Sequence, residues 1–136
     1  MANQIKDVAH QAVLEFAALC SLYQIKRGLL SFSARTKADQ FVAEIQSQGH
    51  FEPAILDNAS DLQQCLQCEI EVSGGAPTAA RSDEGDLFWL GGSAASRELA
   101  ELERSLDSYI RHSRYVSLAL EAEAAIDRRR ARLSTD

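Results

Sequence analysis

Residues 93–133 read SAASRELAELERSLDSYIRHSRYVSLALEAEAAIDRRRARL, and this stretch contains neither glycine nor proline. Ser93 is a typical N-cap residue, and acidic side chains lie toward that end of the stretch. Four arginines between residues 128 and 132 lie toward the other end, which is the charge distribution that the helix dipole favours. The stretch therefore predicts one long C-terminal helix over residues 93–133, about 60 Å in length.

The first two thirds of this helix carry a heptad repeat. Its apolar positions alternate spacings of three and four around the polar Ser113, and they are Leu99, Leu102, Leu106, Tyr109, Val116 and Leu120. Such a repeat is typical of a coiled-coil seam. A compact domain of this size has a diameter of roughly 36 Å, so the helix must kink, project into solvent or pack on a second chain. We predict that the seam mediates self-association as a homodimer; the alternative is an ordinary bundle helix that breaks near Ser113 or Ser117.

The remaining apolar patterns also favour helices, with one ambiguous segment. Spacings of three and four predict helices over about residues 3–27 and 37–48, a short helical piece at 53–57 and a further helix from residue 60 to about 66. Residues 66–72 also alternate strictly, so they form either more helix or a short strand pairing with residues 87–90. Residues 73–86 contain three glycines and a proline, which predicts a flexible loop. The fold class is mainly α, a helical bundle in a single domain over residues 1–136.

The composition predicts a cytoplasmic protein without a membrane segment. Its 136 residues, 46% of them hydrophobic and 25% charged, fit one globular domain. The N-terminus lacks the basic start and apolar run of a signal peptide, and three cysteines do not make a disulfide framework. The most apolar window, residues 12–23, is too short to cross a bilayer.

Negative charge is concentrated in the middle of the chain. The net charge is −6, but residues 44–107 hold thirteen acidic residues and three arginines, a local net charge of −10. Acidic surface repels phosphate backbones, so direct nucleic-acid binding by this region is disfavoured, whereas a basic protein surface suits it. The alternative is that the charge only maintains solubility. The candidate partner-binding residues are Asp83, Glu84 and Asp86 in the loop, and Trp89, which follows the loop in the sequence.

One motif raises the question of metal or thiol chemistry. Cys65 and Cys68 form a CxxC, and His50 precedes it by 15 residues. A structural zinc site needs four ligands, however, and the other histidines and Cys20 are isolated in the sequence. Acidic residues after the motif would raise a thiol pKa, which disfavours a redox role. No phosphate-binding loop or nucleophile elbow is present, so we predict no enzyme and no cofactor.

These observations predict a small acidic interaction protein that binds another protein or complex as an inhibitor or adaptor. Small acidic proteins of mobile genetic elements that block host defence complexes share this size and charge, so a nucleic-acid-binding machine is one class of partner. The alternative is a small metal- or thiol-dependent protein that uses Cys65 and Cys68.

Overall fold

The computed structural model describes residues 2–51 and 53–135, and it confirms a mainly helical chain with a long C-terminal helix. Residues 1, 52 and 136 of the predicted domain lie outside the described residues. Helix α1 spans Ala2–Lys26, a 3-10 turn follows at Arg27–Leu29, α2 spans Phe32–Gln48, α3 spans Pro53–Gly74 and α4 spans Ala94–Thr135. Between α3 and α4, strand β1 (Thr78–Arg81) and strand β2 (Leu87–Leu90) form a hairpin.

Helices α1 and α3 both run antiparallel to α4. At one end of the bundle, Lys26 of α1 donates hydrogen bonds to Glu98 near the start of α4. Toward the other end, Arg114 of α4 donates a hydrogen bond to Ser60 near the start of α3. Helix α2 packs against α3 in the opposite direction. Consecutive helices therefore alternate in direction, which is the up-and-down topology of a helical bundle.

The core lies between the four helices and consists mainly of the residues that the periodic patterns identified. Leu19 and Tyr23 of α1, Phe41 of α2, and Leu62 and Leu66 of α3 are all buried in it. Burying such side chains stabilises a fold by roughly 1.5–3 kcal/mol each. The hydrophobic effect thus stabilises the helices through their shared faces more than helix propensity does.

The heptad seam of α4 belongs to this intramolecular core. Leu99, Leu106 and Tyr109 are 0% exposed, and Leu102 and Val116 are 2% and 1% exposed. Their neighbours are α1 and α3 of the same chain, with which α4 makes most of its contacts. A second copy has no access to these side chains while the bundle is folded. Leu120, the last predicted seam residue, is exposed.

Residues 66–72 are helical. Of the two alternatives, the strand that would pair with residues 87–90 is therefore corrected. Strand β2 pairs antiparallel with β1, which lies inside the predicted loop, so that Ala79 opposes Trp89. Leu62, Leu66 and Ile70 are all buried at helical spacing, and this shared face outweighs the alternation of the same segment. Pairing across a short turn also costs less loop-closure entropy than pairing with a distant segment.

Two helix boundaries also differ from those predicted. Helix α2 begins at Phe32 instead of residue 37, because the Ser31 side chain accepts a hydrogen bond from the Ala34 N–H at 3.2 Å and caps the helix. The two short helical pieces predicted after Pro53 form one continuous helix, α3.

The two ends of the hairpin segment are fastened together at the start of α4. The Ser93 hydroxyl donates to the Ser73 carbonyl at 2.6 Å, and the Ser96 N–H donates to the Ser93 hydroxyl at 3.0 Å. Gly92 has φ +71°, and a Cβ at this position would lie 2.5 Å from the Ser96 hydroxyl oxygen. Only glycine fits this close, left-handed turn without strain. The hairpin is therefore held in place against α4.

Candidate protein-binding surface

The tip of the hairpin presents the three predicted acidic residues. Asp83, Glu84 and Asp86 are exposed in a turn that Ser82 holds together. The Ser82 N–H donates to the Asp86 carbonyl at 2.9 Å, and the Ser82 carbonyl accepts from the Gly85 N–H at 2.9 Å. Gly85 has φ +90°, a conformation that side chains rarely adopt. The carboxylates thus project from a defined turn toward solvent.

The pairing register separates the apolar residues of β2 onto two faces. Directly opposed residues share a face of a sheet, so Phe88 lies beside Ala80, and Trp89 lies on the opposite face. Trp89 packs against the core, which turns Phe88 and Leu90 away from the bundle. These two side chains are 41% and 53% exposed. The outer face of the hairpin therefore joins an apolar surface to an acidic tip.

Trp89 anchors the hairpin on α4 instead of facing solvent. It is half-buried, and an open groove lies on each side of it, with volumes of about 530 and 490 Å³. The groove toward α3 is lined by Ile70 and Ala100, and the groove toward α1 by Glu15 and Ser108. The sequence predicts Trp89 as a partner-binding residue, whereas in the structure its side chain packs against the core. Partner binding by this side chain stays a prediction.

A serine, a histidine and a carboxylate do meet where α1 and α4 pack together. The Ser108 hydroxyl donates to Glu15 Oε1 at 2.8 Å, and His112 Nδ1 lies 2.9 Å from Glu15 Oε2. An activated serine donates its proton to the imidazole, and the carboxylate orients the other ring nitrogen. Here the hydroxyl bonds the carboxylate instead, so the arrangement joins two helices without activating a nucleophile.

The candidate metal ligands do not converge. Cys65 is half-buried against the core, Cys68 is exposed, and His50 contacts Tyr109. Within residues 2–51 and 53–135, no group of three or more His, Cys, Asp or Glu residues is placed to hold a metal ion. A zinc site built from Cys65, Cys68 and His50 would therefore need a rearrangement of the bundle.

The three thiols are expected to differ in reactivity. Burial raises the pKa of the Cys20 and Cys65 thiols, whereas Cys68 is exposed. Since the thiolate is the reactive form, we expect an alkylating reagent at neutral pH to modify Cys68 roughly tenfold faster than the other two. Peptide mass spectrometry after timed quenching measures this order, and Cys68→Ser should remove only the fast phase. Modification of Cys65 before Cys68 would contradict the placement of these side chains.

His50 belongs to an aromatic cluster that the sequence did not reveal. Its Nδ1 lies 3.1 Å from the Tyr109 hydroxyl, and its ring meets that of Phe16 edge-on at 5.1 Å between centroids. Burial lowers the pKa of His50 and raises the pKa of Tyr109 to about 12. His50 follows a helix end in the sequence, and no local pattern indicates that it packs on a residue 59 positions away. The structure therefore gives His50 a packing role.

The His50 cluster predicts a loss of stability in mild acid. Because burial lowers the pKa of His50 below its ordinary value near 6.5, the unfolded chain binds a proton more readily than the folded chain does. The stabilising contribution is present above pH 6.5 and is lost as the pH falls through the lowered pKa. Urea unfolding of the wild type and His50→Gln between pH 8 and about 5 measures this effect. The stability difference between the wild type and His50→Gln should shrink toward low pH. A constant difference would contradict the lowered pKa of His50.

Comparisons with protein-family models, with curated proteins and with solved structures find no match to this chain. Among the described helices, none is both long enough and apolar enough to cross a membrane.

Proposed function

We propose that this chain is a binding protein, an inhibitor or adaptor, that docks a partner protein through its β-hairpin. The hairpin surface consists of Asp83, Glu84, Asp86, Phe88 and Leu90. The observation that carries the proposal is the exposure of Phe88 and Leu90 beside the acidic tip. A matching partner offers an apolar depression with a basic rim.

The two parts of the hairpin surface would contribute in different ways. Covering Phe88 and Leu90 supplies affinity, since full burial of such a side chain is worth roughly 1.5–3 kcal/mol. The acidic tip supplies long-range attraction, which raises the association rate and weakens with salt. Because the hairpin is anchored at Ser93 and Trp89, it loses less conformational entropy on binding.

A protein partner suits this surface better than a nucleic acid does. The hairpin tip belongs to a segment, residues 44–107, with a net charge of −10, and phosphates would be repelled by it. A nucleic-acid-binding protein, in contrast, carries the basic surface that attracts such a tip.

Quantitative capture with matched variants tests this proposal. The wild type, Phe88→Ser/Leu90→Ser and Asp83→Lys/Glu84→Lys would each be used to capture proteins from the native host. The control variants are Val72→Ser, an exposed apolar residue of α3, and Asp57→Lys/Asp61→Lys, two exposed acids of the same helix. We expect one protein to be retained by the wild type and both controls and to be lost with both hairpin variants.

A purified pair then separates the two contributions. Reversing the tip charges should mainly lower the association rate and its salt dependence, while truncating the apolar pair should mainly raise the dissociation rate. Retention of the partner by both hairpin variants would rule out the hairpin as the docking surface. Binding that does not change with salt would rule out the electrostatic part.

The metal- or thiol-dependent alternative has less support, because Cys65, Cys68 and His50 are not brought together. Elemental analysis of the purified protein tests it directly. Stoichiometric zinc that is lost in both Cys65→Ser and Cys68→Ser would favour that alternative over the binding function.

A further inference from the structure

The C-terminal part of α4 carries a second apolar face that points away from the core. Leu118, Ile126 and Leu133 are 66%, 45% and 71% exposed. At 100° per residue, Leu118 lies about 160° around the helix from the buried Val116. The tail stripe, as we name this face, recurs at spacings of three and four as far as Ile126 and resumes seven residues later. It consists of Tyr115, Leu118, Ala122, Ala125, Ile126 and Leu133.

The bundle supports only part of this segment. From the contacts that pair Lys26 with Glu98 and Glu15 with His112, the first turn of α1 lies opposite about residue 125 of α4. The start of α3 lies opposite about residue 120, from the Ser60–Arg114 contact. The last ten or so residues of α4 therefore extend about 15 Å beyond both neighbours. A helical end of this length is marginal in water from helix propensity alone, and further packing stabilises it.

The outer face of α4 is covered in its first half and open in its second half. Trp89 and the hairpin lie over Ala100, Arg104 and Ser108. The tail stripe continues the same helical face from Tyr115 onward, and its large side chains are 45–71% exposed. A further helix would continue the layer that the hairpin begins.

Charges along the tail are segregated in sequence. Glu121, Glu123 and Asp127 come first, and four arginines follow between residues 128 and 132. Two such tails in parallel would place arginine beside arginine. Two tails in antiparallel orientation would place the acidic part of each beside the basic part of the other, which is favourable. Charge complementarity thus selects a second copy in antiparallel orientation.

We propose that the tail stripe is a homodimer interface in which two α4 helices pair antiparallel about a two-fold axis between Ala125 and Ile126. In this register Leu118 opposes Leu133 of the second copy, so two large apolar side chains meet on each side of the axis. On the flanks, Glu121 lies near Arg128 of the second copy, and Glu123 lies near Arg130 of the second copy. The alanines at the centre allow the two helices to approach closely, since the interaxial distance depends on the side chains at the contact.

A symmetric pairing of this kind closes after two copies. The same patch serves both chains, so no further surface of the tail remains to recruit a third. The two acidic bundles then lie at opposite ends of the paired tails, which limits their mutual repulsion. The hairpin surface stays accessible in each copy, so the dimer and the proposed partner binding are independent.

The oligomeric state of the full chain tests the proposal. Sedimentation equilibrium of the wild type should give a dimer at about 100 μM. Leu118→Glu and Ile126→Glu should each weaken dimerisation at least tenfold, because each brings two carboxylates into one interface. Val72→Glu is the matched control, an exposed apolar residue outside the tail that should leave the dimer unchanged. Unchanged far-UV circular dichroism verifies that the variants remain folded.

Disulfide crosslinking tests the orientation in a Cys68→Ser background. Leu118→Cys/Leu133→Cys should form covalent dimers, whereas either single substitution should not. In one helix these positions are about 22 Å apart, so they cannot bridge within a chain. Efficient crosslinking of Leu133→Cys alone would show parallel pairing and overturn the register.

A monomeric wild type at about 100 μM would overturn the interface itself. A dimer that survives both glutamate variants would also overturn it, since the contact would then lie elsewhere. A monomer that binds anionic vesicles or RNA through the arginines would assign the tail to a different partner and equally reject the dimer.

Discussion

Leu106→Ala is expected to lower the free energy of unfolding by about 2–5 kcal/mol. Leu106 is 0% exposed and lies in the seam where α4 packs on its neighbours. The loss combines the transfer free energy of the removed methyl groups with the cavity that they leave in a close-packed core. Urea unfolding monitored by circular dichroism measures it, with the slope of the transition checked for two-state behaviour.

Leu118→Ala is the matched control for this prediction. It removes the same side chain from the same helix, but Leu118 is 66% exposed in the monomer. At a dilution where the chain is monomeric, we expect a loss within about 0.5 kcal/mol. Equal losses at the two positions would show that α4 does not pack in the described register.

The same placement predicts the result of Leu106→Glu. A carboxylate at this position would lie in the core without a partner, a situation that proteins avoid because of the cost of desolvation. We expect this variant to unfold, with loss of circular dichroism, instead of yielding a folded monomer. A folded monomeric Leu106→Glu would instead support the intermolecular seam that the heptad predicted.

The second large effect concerns Lys26, whose side chain is only 4% exposed. Its ammonium group donates to Glu98 Oε2 at 2.7 Å, to Glu101 Oε2 at 2.6 Å and to the Glu98 carbonyl at 2.9 Å. Burial favours the neutral amine, but the hydrogen bonds to Glu101 and Glu98 outweigh it and raise the pKa of Lys26. The contact is therefore an ion pair that ties the end of α1 to the start of α4.

Removing the carboxylates should cost more than removing the lysine. Glu98→Ala/Glu101→Ala leaves a buried ammonium group with one carbonyl partner, and we expect a loss of about 2–4 kcal/mol. Lys26→Met keeps most of the packing and leaves two carboxylates that are about half exposed, so we expect a loss of about 1 kcal/mol. Urea unfolding of Lys26→Met/Glu98→Ala/Glu101→Ala gives the decisive comparison. This variant should be more stable than Glu98→Ala/Glu101→Ala, which retains the unpaired ammonium group. Lower stability would contradict a buried lysine that needs its carboxylate partners.

The direction of the Lys26 pKa shift adds a pH dependence. A raised pKa in the folded chain means that the stabilisation is present below the ordinary lysine pKa near 10.5. It is lost as the pH rises through the raised value. Lys26→Met should lack this alkaline component.

The helical architecture follows from sequence patterns because helix periodicity is local. Residues 93–133 show the period, the cap and the charge distribution of one helix, and α4 spans Ala94–Thr135. The same is true of the acidic tip, since Asp83, Glu84 and Asp86 lie between glycines and were expected in an exposed loop. Each of these conclusions uses neighbours within a few turns of chain.

The candidate site was only partly visible in the sequence. Residues 87–90 form one apolar run, and nothing within it tells Trp89 from Phe88. The register with residues 78–81 decides that Trp89 faces α4 and that Phe88 and Leu90 face solvent. The sequence leaves open whether residues 66–72 continue the helix or pair with residues 87–90, because they satisfy the helical and the alternating pattern at once. The structure shows the helix.

Helix α4 shows most clearly which features the sequence determines and which depend on tertiary contacts. By itself, the sequence determined that α4 exists, about how long it is and, except for the exposed Leu120, which of its residues form a buried seam. Only the tertiary structure decided that this seam packs on α1 and α3 of the same chain and leaves the tail stripe exposed. The physical reason is that apolar spacing records which face of a helix avoids water, while the chain that covers this face depends on contacts between distant residues.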